Sequence, residues 1–124
     1  MATILLAEDN EAVRLLTQAK LRHQFTVVTA ANGREALDIL NRQHVDLIVA
    51  DVMMPVMDGF EASRAIRALD RPDAATVPIL AMTAQASDEC AQSCHQVGMN
   101  GRLVKPLDAK KLAKSIREAV QNKQ

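Results

Sequence analysis

Ile4-Leu5-Leu6-Ala7-Glu8-Asp9 opens the chain with four apolar residues followed by two carboxylates. A run this short and unbroken fits a central strand covered on both faces. The layout returns at Leu47-Ile48-Val49-Ala50-Asp51, again apolar and again ending in an acid. Working outward, strands are expected at Thr3 to Ala7, Thr26 to Ala30, Val45 to Ala50, Val77 to Met82 and Arg102 to Val104. The last is brief and weakly marked, as suits an edge strand. The later runs lead into Thr83 and into Lys105-Pro106.

Amphipathic stretches alternate with these runs, the signature of βα units and a parallel sheet. In the first helical pattern Ala12, Leu15, Leu16 and Ala19 share one stripe, while Leu21 falls off it. In the second, Asn32 reads as an N-cap with Glu35 at the N3 position, ahead of Ala36, Leu37 and Leu40. The third spaces Ala62, Ala65, Ile66 and Leu69 at helical intervals. The fourth carries Ala86, Cys90, Cys94 and Val97. The fifth starts near Asp108 as N-cap and buries Leu112, Ile116 and Ala119, leaving Lys110, Lys111, Lys114 and Arg117 on a solvated face. Five strands and five helices in strict alternation predict one α/β domain over residues 1–124. The expected form is a doubly wound parallel sheet with helices on both faces and right-handed crossovers. Periodicity alone leaves the strand order open.

Composition narrows the function. The chain has 124 residues, an apolar fraction of 48% and fifteen basic residues against fifteen acidic ones. Such a length suffices for a real core, and the balance offers no global field toward nucleic acid or an anionic membrane. Phe25 and Phe60 are its only aromatics, so stacking platforms for single-stranded nucleic acid are missing. No apolar run approaches the ~20 residues of a membrane span, and the start lacks a basic n-region with an apolar h-region. A cytoplasmic protein is expected. Cys90, Cys94 and His95 offer at most three ligands where a zinc site usually takes four, and the cysteines read better as small buried hydrophobes.

In an open α/β sheet, ligands bind in the crevice at the carboxyl ends of the strands. There the sequence places Glu8, Asp9, Asp51, Thr83 and Lys105. Each has a plain alternative: a solvated turn for Glu8-Asp9, the start of a loop for Asp51, a β-branched filler for Thr83, a snorkelling side chain for Lys105. As a set they make sense as a metal-dependent anion site. Three clustered carboxylates raise one another's pKa unless a cation compensates, and Lys105 supplies only one charge. Hard oxygen ligands suit Mg²⁺, and a carboxylate can be a nucleophile toward a phosphoryl group.

Four fragments resemble the receiver domain of two-component response regulators. They are Ile4 to Asn10, Val49 to Gly59 (VADVMMPVMDG), Met82-Thr83-Ala84 and Leu103-Val104-Lys105-Pro106, in order and correctly spaced over nearly the whole chain. Gly98-Met99-Asn100-Gly101 is most similar to receivers of hybrid sensor kinases. The resemblance implies a flavodoxin-like three-layer sandwich with strand order 2-1-3-4-5. It implies that Asp51 is the phosphoacceptor. Mg²⁺ would be held by Asp9, by Glu8 through water, by Asp51 and by the Met53 backbone carbonyl. Thr83 would be the switch hydroxyl, Ala84 a backbone N–H donor to phosphoryl oxygens, Lys105 the phosphate-binding lysine, and Lys105-Pro106 a cis bond. It further implies a histidine kinase or phosphotransfer protein as donor. A downstream protein would dock on the face of the fourth helix, fifth strand and fifth helix. No direct contact with nucleic acid or membrane is expected. The domain would assist its own phosphorylation and dephosphorylation without being an enzyme for a separate substrate.

One position departs from the family. Three residues before the lysine many receivers have Tyr, Phe or His, and Arg102 stands there. A guanidinium always carries charge, so Arg102 is expected to stay at the surface, contacting a partner or an acidic side chain such as Asp88 or Glu89. Three other readings fit less well. An aspartyl-phosphate phosphatase would want a carboxylate where Met53 stands. A flavodoxin-like electron carrier would want a Ser/Thr/Gly-rich loop at Glu8-Asp9-Asn10. A pseudo-receiver would lack the intact set of acids, hydroxyl and lysine.

Overall fold

The computed structural model describes residues 1–84, 88–105 and 108–121. Strands β1 (Thr3–Ala7), β2 (Thr26–Ala30), β3 (Leu47–Asp51), β4 (Ile79–Thr83) and β5 (Gly101–Val104) alternate with helices α1 (Glu11–Leu21), α2 (Gly33–Arg42), α3 (Gly59–Arg67), α4 (Pro72–Ala75), α5 (Asp88–Gln96) and α6 (Ala109–Gln121). All ladders are parallel and the order is β2-β1-β3-β4-β5. This is the doubly wound sandwich that the resemblance implied. The helix beyond the expected five is α4, a single turn opened by Pro72. One turn is too short to leave a periodic signal in the sequence.

The sheet separates two cores by side-chain parity. Leu5, Ala7, Ile48, Ala50, Ile79 and Ala81 face one side, packed with α2, α3 and α5 through residues such as Leu40, Ile66 and Cys94. Ile4, Leu6, Leu47, Val49, Leu80 and Met82 face the other, packed with Leu21 of α1 and with Leu112 and Ile116 of α6. Two strands sit further along than expected. β3 and β4 begin after the buried Val45 and Val77 and extend through Asp51 and Thr83. The acid and the hydroxyl are thus ladder residues, paired in register with Met82 and Val104, and not loop residues.

The caps follow the sequence. Asn32 accepts from the Glu35 N–H at 2.9 Å, and Asp108 accepts from the N–H groups of Lys110 and Lys111. Asp58, which was not foreseen, forms a full capping box with Glu61 at the start of α3. Ala86 and the side chain of Cys90 lie outside the described residues.

Helix α1 corrects the sequence reading. Its apolar stripe looks outward: Leu15 is 54% and Leu16 57% exposed, and Ala12 and Ala19 are exposed as well. The inner strip is Arg14, Thr17, Gln18 and Leu21, with Thr17 and Leu21 buried. Periodicity reports which residues share a face, but not which way that face points. Here Asn10 capping Val13 N–H at 3.0 Å and Arg14 reaching the Glu8 carbonyl at 2.9 Å hold the first turn at the end of β1. That sets the phase for the whole helix.

Candidate functional site

Glu8, Asp51 and Lys105 continue the parity of the strand residues that face α1 and α6, one step past or at the strand ends. The structure brings them together. Lys105 Nζ donates to Asp51 Oδ2 at 2.6 Å and to Glu8 Oε1 at 2.9 Å. Carboxylate oxygens of Glu8, Asp9 and Asp51 all lie within 4.8 Å of one another. Glu8 is 1% and Asp51 5% exposed, whereas Asp9 opens to solvent. Thr83 is buried at the end of the neighbouring strand, and Ala84 after it is exposed. Pro106 lies outside the described residues, and so does the expected cis bond.

Each acid is held by local structure. Met53 N–H donates to Asp51 Oδ1 at 2.9 Å, leaving Oδ2 to Lys105. Glu8 takes an N–H from Asn10 on Oε2 at 3.3 Å, and its own N–H continues the ladder to the Ala30 carbonyl at 3.0 Å. Gly59 starts α3 against the backbone of β3, where an added Cβ would meet the Asp51 carbonyl oxygen at 2.5 Å. Only glycine lets α3 come that close. Between them the loop turns at Val56, whose φ of 68° is left-handed. For a β-branched residue such a conformation costs of order 1–3 kcal/mol, and the side chain is 81% exposed.

The electrostatics are those of an undercompensated acid cluster. Burial pushes the Glu8 carboxyl above its ordinary value; the Lys105 ammonium opposes this, and nearby Asp51 adds to it. Burial works against a charged Lys105, but its bonds and attraction to Asp51 and Glu8 prevail and hold it above the usual lysine value. One cation serves two buried carboxylates, and a third carboxylate stands at the opening. A hard dication bound by oxygen ligands fits this donor set.

The model of the response regulator receiver domain matches residues 4–117. The chain belongs to this family. CheY4 of Vibrio cholerae, a chemotaxis response regulator, superposes with a TM-score of 0.88 at 37% identity, covering 96% of this chain and 98% of that one. The receiver domain of sensor histidine kinase PA1611 from Pseudomonas aeruginosa gives 0.88 at 35% identity, covering 98% of each chain, and holds a magnesium ion in its active-site cleft. The transcriptional regulatory protein AfsQ1 of Streptomyces coelicolor is 38% identical over 118 residues. That match takes in 94% of this chain and half of AfsQ1. A receiver is a phosphoacceptor module in signal relay, and the phosphatase alternative is not favoured. Where that alternative needs an acid, Met53 presents only its N–H to Asp51.

Two features of this receiver were missed from sequence. The contact of Arg14 with the Glu8 carbonyl has no local signature, since it joins residues six apart across a turn. The strain at Val56 is invisible in composition. Arg102 differs from expectation: it is half-buried on β5, where it lines a shallow cleft of about 220 Å³ with Cys94, His95, Met99, Asn100 and Gly101. The side chains of Asp88 and Glu89 lie outside the described residues. Among the described residues no helix is long and apolar enough to cross a membrane.

Proposed function

We propose that Asp51 accepts a phosphoryl group from a phosphohistidine of a histidine kinase or histidine phosphotransfer protein, in a Mg²⁺-dependent reaction. The observation that carries this reading is the buried Asp51 carboxylate at the end of β3, with Glu8 and Asp9 within 4.8 Å and Lys105 at 2.6 Å. A carboxylate oxygen of Asp51 bonds to phosphorus as the P–N bond to the donor imidazole breaks, its electron pair leaving with nitrogen. Water later attacks phosphorus, returning the aspartate and releasing inorganic phosphate. Transfer of this kind needs positioning and charge neutralisation more than covalent help.

Glu8, Asp9, Asp51 and the Met53 carbonyl would hold Mg²⁺, which when bound offsets charge on the phosphoryl oxygens. Lys105 exchanges the Asp51 oxygen it now holds for a phosphoryl oxygen, and the Ala84 N–H takes another. Thr83 moves toward the phosphoryl group and shifts an existing equilibrium between conformations. A downstream protein then reads the face of α5, β5 and α6. With Asp51 buried, a protein donor must cover the mouth of the site, where Met53 and Val56 are exposed and the outward stripe of α1 begins. The domain turns over no separate substrate, and its place is the cytoplasm.

Incubation with acetyl phosphate and Mg²⁺ should add one base-labile phosphoryl group by mass spectrometry. Its survival in Asp51→Asn would remove Asp51 from this role.

A further inference from the structure

The two acids Glu8 and Asp9 are joined by one peptide bond, and a side chain grips that bond. Arg14 Nη1 donates to the Glu8 carbonyl at 2.9 Å. This oxygen lies in the same rigid plane as the Asp9 N–H. The guanidinium therefore holds the plane from which both carboxylates depart, one on either side. Glu8 has further ties through the Ala30 carbonyl, Asn10 N–H and Lys105. Asp9 is exposed, and it hangs between this plane and the next peptide, whose Asn10 N–H bonds Glu8 Oε2. Arg14 itself is half-buried on the inner strip of α1, so its reach is set by the packing of Thr17 and Leu21 below it.

We infer that Arg14 is a positioning residue for divalent-metal binding by Glu8 and Asp9. The inference rests on the reading of the acid cluster as a Mg²⁺ site. Mg²⁺ demands near-ideal octahedral ligand geometry, so a carboxylate on a swinging peptide plane binds it less well than one on a fixed plane. Groups that orient metal ligands typically matter by ten- to a hundredfold in affinity. A competing effect has the opposite sign: a guanidinium nearby repels a dication, and removing it would tighten binding. The structure favours restraint, because the guanidinium donates to the carbonyl dipole behind the acids rather than to a carboxylate.

The sign of the change decides between the two. Mg²⁺ affinity is followed by amide chemical shifts in the parent, Arg14→Met, Arg14→Lys and Arg14→Gln, with urea unfolding in metal-free buffer for each. Lysine keeps the charge and a donor of nearly the same reach, whereas Met has no donor and Gln is too short. Met and Gln should weaken Mg²⁺ about tenfold, with Lys within about twofold of the parent. In the metal-free proteins the Asp9 amide resonance should move in Met and Gln while those of α6 stay. Should Met not fold, Gln carries the same expectation. A parent that binds Mg²⁺ with Met and Gln variants that bind it equally or more tightly would overturn the inference alone. A parent that binds no Mg²⁺ would overturn the site reading with it.

Discussion

Arg67 and Lys105 are cations at opposite ends of the same sheet, and their surroundings are opposite too. Arg67, at the end of α3, donates to the carbonyls of Gly98 (3.0 and 2.6 Å), Ala75 (3.0 Å) and Val77 (2.7 Å), and to Asn100 Oδ1 at 2.8 Å. Asn100 Oδ1 also takes the Ile79 N–H, and Asn100 N–H returns to the Ile79 carbonyl, both at 2.8 Å. Every partner is neutral, and the clasp ties α3, α4, β4 and the lead-in to β5. Burial depresses the Arg67 pKa but leaves it a cation. Lys105 instead meets two buried carboxylates with a third close by. The polar groups named at one end of the sheet are satisfied by neutral partners, whereas the other end holds charge in excess. A module that must accept a dianionic group on one edge and keep its fold needs both arrangements.

Substitutions at the two ends should therefore separate function from stability. The largest effect is at Asp51: Asn should abolish labelling by acetyl phosphate while unfolding near the parent's urea midpoint, because Asn still offers Lys105 an acceptor. Arg67→Met should do the reverse. Stranding several carbonyls should cost about 3 kcal/mol in urea unfolding, with labelling of the folded fraction retained. Labelling lost along with stability would mean the two ends are not independent.

Mg²⁺ should stabilise only through the charged end. At ten times its dissociation constant it should add about 1.4 kcal/mol, raising the melting temperature of the parent but not of Asp9→Ala. A smaller effect on stability is expected at the α1 stripe, which lies on neither core. Leu15→Ser with Leu16→Ser should change stability by about 0.5 kcal/mol or less and leave acetyl phosphate labelling intact, yet slow transfer from a protein donor. Unchanged transfer would show that this stripe is not part of the donor footprint.

The smallest effect concerns acid titration at Asp108. Its bonds from Lys110 and Lys111 N–H groups hold its carboxyl below the ordinary value. A depressed carboxyl stabilises the fold above its unfolded pKa, and that contribution fades as pH falls through the lower, folded one. Asp108→Ala should reduce stability at neutral pH and flatten the acid limb of the stability curve. An unaltered limb would assign the acid sensitivity to other carboxylates.

Much was legible in the residues alone, for local reasons. Unbroken apolar runs mark central strands because both faces are covered. Asn32 and Asp108 mark helix starts because their side-chain oxygens satisfy N–H groups within a few residues. An acid ending an apolar run is conspicuous because burial so rarely tolerates one. The element sequence, the parallel sheet and the set Glu8, Asp9, Asp51, Thr83 and Lys105 all follow from such signals, and the order of the strands from the resemblance to receivers. What tertiary structure decided is direction and distance. It turned Leu15 and Leu16 of α1 outward, carried β3 and β4 on to Asp51 and Thr83, and placed Arg14 behind the acid pair. It also gathered four backbone and side-chain acceptors around Arg67. These outcomes depend on the phase at which each helix leaves its strand. That phase is fixed by contacts between residues far apart in the chain or across a turn, which a one-dimensional pattern does not encode.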